Sequence, residues 1–183
     1  GWPKDIDWLA DIPKEEVRRL RGHTVDRSTL DNHSTFSQVD YLAQVYVQTN
    51  DGRYRTSVER AIDYILRKQD PSGGWSGADV YAITFNDEVM TGIMTVFLDI
   101  RERAPYFMWL DDSRRAAVSV ALGRAIDCTL ACQIEVNGLK TAWCQQHDHK
   151  TLAPIRARSY ELASICSRES ASVLAFLMSL PEQ

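Results

Sequence analysis

At 183 residues and 44% hydrophobic content, the chain can build one domain with a real core and is too short for two comfortable ones. Its net charge of −4 and pI near 5.6 exclude a general nucleic-acid binder, which carries a basic excess, but leave room for a local cationic patch. No apolar run approaches the roughly 18 to 20 residues of a membrane span, the longest candidate being the mixed stretch Val89 to Ile100, so no membrane partner is expected. The chain opens on Gly1 with neither a charged n-region nor an apolar h-region, as expected of a processed product or an excised piece.

Taken in order, the elements read as helices. Phe36, Val39, Ala43, Tyr46 and Val47 form one apolar stripe, and Asn50-Asp51-Gly52 marks a turn. Val58, Ala61, Ile62, Ile65 and Leu66 then repeat at i, i+3, i+4, i+7, i+8, which predicts a helix from about Tyr54 to Lys68 packed antiparallel on the first. A short extended piece is expected within Asp79 to Thr84. Asp87 to Arg101 is apolar almost all round and reads as an inner helix. Val118, Ala121, Leu122 and Ala125 give a stripe on a helix from about Asp112 to Ile134, with Asp111-Asp112-Ser113 as N-cap candidates. Leu174, Phe176, Leu177 and Leu180 mark a last helix that stops at Pro181. Strand-type alternation nowhere extends beyond a few residues, so the fold class is all-α, a single helical domain over residues 1–183.

The connections carry a second period. Gly1-Trp2, Gly73-Gly74-Trp75 and Gly138 to Trp143 each put a glycine near a tryptophan, the tryptophans lying 73 and 68 residues apart. Each interval holds two helices and their loops, so the chain reads as successive antiparallel helix pairs of an α/α toroid-like array. Trp75 and Trp2 have two readings, a core plug or a platform on which a sugar ring stacks. Of the four cysteines, Cys128 and Cys132 lie one turn apart among apolar residues and read as buried thiols. Cys144, His147 and His149 would suit zinc but lack a fourth ligand.

Two segments hold more reactive side chains than a scaffold needs: Thr29-Leu30-Asp31-Asn32, and Trp143 to Glu161 with Gln145, His147, Asp148, Lys150, Arg156, Arg158 and Glu161. Such density points to a polar, anionic ligand. Each residue also has a scaffold role open to it. Asp31 and Asp87 sit where helix caps belong, Arg158 stands three residues from Glu161, and His147 suits a hydrogen-bonded loop.

In these segments the chain resembles the pectate lyases of polysaccharide lyase family 10. The resemblance rests on Gly1-Trp2-Pro3-Lys4, Thr29 to Asn32, Gly73-Gly74-Trp75, Ile83-Thr84-Phe85-Asn86-Asp87-Glu88-Val89-Met90, and Trp143-Cys144-Gln145-Gln146-His147-Asp148 running on to Pro154, Arg158, Tyr160 and Glu161, in the family's order and across essentially the whole chain. It implies an α/α toroid-like fold, calcium as cofactor, and β-elimination on polygalacturonate to 4,5-unsaturated oligogalacturonates. Loss of the C5 proton concentrates charge on the adjacent carboxylate, so the site must supply cations. The resemblance places Asp31 and Asp87 near calcium, whose preference is for hard carboxylate oxygens. It places Arg158 on a uronate carboxylate, which a planar two-pronged donor fits. Asn32, Trp75, Lys140 and His147 complete the expected substrate-binding set. The catalytic base is not assigned, because the family's arginine base lies farther along than the segment Arg158 matches; the chain is expected to lack the C-terminal part of the module. Two alternatives stand beside the lyase: a non-catalytic or incomplete polygalacturonate-binding domain of the same fold, and a terpene-cyclase or prenyltransferase-like toroid, which would need a carboxylate-rich motif in an apolar cavity. Since pectin is extracellular, a secreted or periplasmic protein is expected.

Overall fold

The structure, a computed structural model, describes residues 1–2, 15 and 28–181; Pro3 and Lys4 of the first glycine–tryptophan motif lie outside them. The described residues form five α-helices: α1 (Phe36–Thr49), α2 (Gly52–Lys68), α3 (Val89–Arg101), α4 (Asp112–Ala131) and α5 (Ser167–Met178). Strands are two residues long. β1 (Ile83–Thr84) pairs antiparallel with β4 (Gln146–His147), and β2 (Glu135–Val136) with β3 (Leu139–Lys140). The protein is therefore mostly helical, an α/α toroid-like arrangement of helix pairs with short extended pieces in the loops. No helix among the described residues is long and apolar enough to cross a membrane.

α1 and α2 pack antiparallel through the Asn50-Asp51 turn. Asn50 takes the left-handed conformation its short amide tolerates, and the Asp51 carboxylate caps α2 by accepting the Arg53 N–H at 2.9 Å. Val58, Ala61, Ile62 and Ile65 are buried as their spacing requires, whereas Val47 faces solvent and Tyr46 is half-buried, so the α1 stripe ends a turn early. α3 touches α1, α4 and α5 and buries residues on every side, from Val89 and Met90 to Phe97 and Ile100: the inner helix. It meets α1 at Gly92, where a Cβ would stand 2.3 Å from the Phe36 ring, so only glycine lets the two approach. α4 starts at the Asp111 cap and ends at Ala131, three residues short of Ile134. On α5 the buried face is Val173 and Phe176, while Leu174 is exposed.

The glycine–tryptophan period has a physical basis. Trp75 and Trp143 are both fully buried, and each indole N–H donates to a carbonyl in the last turn of the preceding pair's second helix: Trp75 to Ile65 O at 2.9 Å and Trp143 to Thr129 O at 2.7 Å. Those carbonyls have no partner within the helix. Each tryptophan thus plugs the core and closes a helix end, and Gly73, at φ 94° with no room for a Cβ beside the Arg124 carbonyl, makes the turn that delivers Trp75. Expected as a sugar platform, Trp75 has no exposed face.

Candidate active site

The connections carry the polar chemistry to one face. β1 and β4 pair Ile83 with His147 and Thr84 with Gln146, which brings the chain around Asn86 against the chain around Arg158 and Glu161. The 28–35 segment and the 77–80 loop complete a narrow cleft lined by Asp31, Thr84, Asn86, Gln146, Arg158 and Glu161. Residues more than 120 positions apart thus face one space. The enclosed room is about 20 Å³, enough for one water or one cation but not a sugar ring.

Asp31 is buried at the cleft wall, with the Asn32 amide 3.4 Å from its carboxylate. It does not cap α1. Thr35 holds that position, and its N–H donates to Gln38 Oε1 at 2.5 Å. Asn32, His33 and Thr35 all have positive φ, so the segment that presents Asp31 is held in conformations costly to residues with a side chain. Across the cleft, a Cβ on Gly77 would lie 3.0 Å from Asp31 Oδ1; glycine leaves the carboxylate its place.

Asp87 is not a cap either. It sits at φ 49° inside a 3-10 turn, Asn86–Glu88, and Glu88, at φ 58°, precedes α3 without a side-chain cap. Two adjacent left-handed non-glycine residues make a strained corner. Asp87 lies one residue outside the cleft lining and is joined to it by Asn86, whose amide is 3.2 Å from Asp87 Oδ2 and 3.4 Å from Glu161 Oε1.

Arg158 pairs with Glu161. Its Nε and Nη2 donate to the two carboxylate oxygens at 2.9 and 2.5 Å, its own N–H adds a third bond at 3.1 Å, and Asp79 stands 3.8 Å from Nη1. The Glu161 carboxylate is buried, and the Arg158 bonds pull its pKa below the ordinary carboxylate range against the opposing effect of burial. The same bonds push the guanidinium pKa upward, which favours its charged form. Its side chain is 43% exposed, free to meet a ligand as well as its partner.

Gln146 Oε1 is a buried acceptor with no partner among the described residues, in the cleft wall. An orphaned oxygen there costs stability unless a ligand or ion takes it up.

Three expected substrate contacts fall elsewhere. His147 is fully buried with both ring nitrogens engaged: Nε2 accepts the Cys144 N–H at 3.0 Å, so Nδ1 carries the proton and donates to Leu152 O at 2.9 Å. It stitches the loop to β4, and burial holds its pKa low. Lys140 lies on the exposed β2–β3 hairpin, outside the cleft, with its ammonium 3.5 Å from Leu130 O. Trp75, as above, is a plug. The zinc alternative finds no site among the described residues: both His147 nitrogens are engaged, and no group of three or more His, Cys, Asp or Glu there could hold a metal.

Sequence reasoning passed over Asn86, Gln146 and Asp79 as site residues. The run Asn86-Asp87-Glu88 between a strand and an apolar helix was the available signal for the first, since a scaffold has no need of three such groups there.

These features define a helical protein with an acidic and cationic cleft on its loop face. The pectic acid lyase family matches residues 1–183, and the chain belongs to that family. Two solved structures from Cellvibrio cellulosa are similar to it. One is a family 10 polysaccharide lyase, 28% identical, with a TM-score of 0.85, covering 100% of this chain and 57% of that one. The other is an aspartate-to-alanine mutant of a family 10 polysaccharide lyase from the same organism in complex with trigalacturonic acid, 31% identical, with a TM-score of 0.80, covering 85% of this chain and 51% of that one. The chain thus spans about half the length of the solved relatives it matches. No curated protein matches it.

Proposed function

We propose that the protein is a pectate lyase acting on polygalacturonate by calcium-assisted β-elimination, outside the cytoplasm where that polymer is found. The observation that carries this reading is the meeting of Asp31 with Arg158 in one cleft, beside a Gln146 oxygen that has no partner among the described residues. Family membership and the trigalacturonic acid bound to one relative support the substrate.

Within this reading Arg158 neutralises a uronate carboxylate. Glu161 grips one edge of the guanidinium through Nε and Nη2 and sets its plane, leaving Nη1, 3.8 Å from Asp79, turned to the ligand. Calcium fits in part. Asp31 and the oxygens of Asn86 and Gln146 are hard donors around a space the size of one ion, with Asp87 one residue away, but they are too few for an all-protein cage. A cation held there would take its remaining ligands from water and from the substrate's carboxylate. When bound, it would stabilise the charge that builds on that carboxylate as the C5 proton leaves. His147, by its engaged nitrogens, is not the base, and no described residue is assigned that role.

The experiment is a polygalacturonate assay following the ultraviolet absorbance of 4,5-unsaturated uronates with calcium and with a chelator. The expected result is a calcium-dependent rise that falls about 10- to 100-fold in Arg158→Ala. Gly77→Ala should raise the calcium requirement, since its methyl group displaces Asp31. Binding without any absorbance change would leave the chain a polygalacturonate-binding domain; no binding would end both.

A further inference from the structure

The cleft has a neighbour of a different kind. A cavity of about 400 Å³ adjoins it behind the 77–80 loop, whose Gly77, Ala78 and Val80 line both spaces. Leu30 lines the larger one and Asp31 the smaller, so a chain crossing from one to the other passes consecutive residues of the same segment. Lys68 and Tyr81 stand on the larger cavity's wall.

Tyr81 is 75% exposed yet tightly held. Its hydroxyl donates to Asp70, and its ring packs against His149 with centroids 4.7 Å apart. His149 is in turn locked. Its Nδ1 faces Ser72 Oγ at 2.8 Å and Asp70 Oδ1 at 3.3 Å, and its Nε2 lies 2.9 Å from Ser76 Oγ. With Asp70 beside it, Nδ1 carries the proton and the Ser76 hydroxyl donates to Nε2. Four polar side chains, Asp70, Ser72, Ser76 and His149, therefore fix one exposed aromatic ring. A ring immobilised before the ligand arrives spends no conformational entropy on binding, and its open side suits the C–H face of a pyranose. Lys68, the last residue of α2, supplies a cation that stands 5.7 Å from the Tyr64 ring and, among the described residues, has no carboxylate paired to it.

We propose that this cavity is a further binding subsite for a galacturonate residue, with Tyr81 as the stacking platform and Lys68 as the partner of the uronate carboxylate. Trp75 cannot fill the platform role; Tyr81, six residues on, does. The inference rests on polygalacturonate being the ligand and adds to that reading where the chain runs beyond the Asp31–Arg158 cleft.

Calorimetric titration of the whole chain with oligogalacturonates of increasing length, in calcium, tests it. Affinity should rise with length up to the oligomer that reaches the cavity. In Tyr81→Ala that gain should fall about five- to tenfold while the shortest binding oligomer is unaffected; Tyr81→Phe, which keeps the ring, should retain most of it. Lys68→Met should lose a similar share of the gain, and the difference from the parent protein should shrink as salt is raised. If Tyr81→Ala binds every length as the parent does, or loses equally at every length, the subsite does not exist. If the parent protein binds no oligogalacturonate of any length, the polygalacturonate reading falls, and this inference with it. Short oligomers that bind with no gain from greater length overturn the subsite alone.

Discussion

The helical body and the loop face of this molecule reach order by opposite means. In the body, α1 to α4 bury aliphatic and aromatic side chains, and positions are fixed by shape: Gly92 beneath Phe36, or Met90 and Ile93 inside α3. On the loop face polar and charged groups are buried as well, Asp31, Gln146, His147, His149 and Glu161, beside apolar ones such as Ile83 and Phe85, and the polar positions are fixed by directed hydrogen bonds. Shape tolerates exchange among residues of equal volume. A buried hydrogen-bonded charge does not, because removing one partner strands the other. Substitutions should therefore separate the two regions, stability responding in the body and ligand chemistry on the face.

The largest effect on stability is expected at the junction between them. Trp75→Ala empties a fully buried site and strands the Ile65 carbonyl, which predicts a loss of about 3–5 kcal/mol in urea or thermal unfolding, and Trp75→Phe, which keeps most of the volume, about 1 kcal/mol for the hydrogen bond. Should Trp75→Ala leave stability intact and weaken only ligand binding, Trp75 would belong to the face after all.

This junction also shows what the sequence discloses. Periodicity placed the five helices of the described residues because burial writes itself at every third or fourth position of a helix, and the helix-pair repeat was read from glycine and tryptophan spacing. Loop side chains have no such register. Nothing in the order of residues told whether Trp75 points inward, whether both His147 nitrogens are engaged, or that Lys140 rides a hairpin away from the cleft. Asp31 and Arg158 were legible because the resemblance covers their motifs. Glu161 was read as part of the reactive segment and as a partner for Arg158 but not as a site residue, and Tyr81 not at all, since its importance comes from Asp70 and His149, the latter 68 residues away.

A smaller effect is expected from acid, and it should come in two stages. His147 and His149 have pKa values lowered by burial, from an ordinary 6.5. Below that value the unfolded chain binds protons the folded one refuses, so stability falls as pH drops through about 6.5. Glu161 is depressed by Arg158 from an ordinary 4.5, so its contribution is full above that value and is lost as pH falls toward its lowered folded pKa. Unfolding measured from pH 8 to pH 3 should show both declines, and Glu161→Gln should reduce the lower one, to which Asp51, Asp70, Asp111 and Asp148 also contribute through their lowered pKa values, while leaving the upper. A stability profile flat from pH 8 to pH 5 would mean that the buried histidines do not hold the loop face together.

The smallest effect is expected at Lys140, and there it is the absence of an effect that sharpens the contrast. Its side chain is exposed on a two-residue hairpin, and its one polar contact, to Leu130 O at 3.5 Å, is at the outer limit of a hydrogen bond. An exposed lysine without an ion pair contributes within about 0.5 kcal/mol to stability. Lys140→Ala should therefore match the parent protein in unfolding, in calcium requirement and in affinity for polygalacturonate at moderate salt. Arg158→Ala, which removes a single charge of the same sign from the cleft, should not. If the two substitutions weaken binding alike, the ligand responds to net positive charge rather than to placement, and the division between an ordered cleft and an indifferent surface fails.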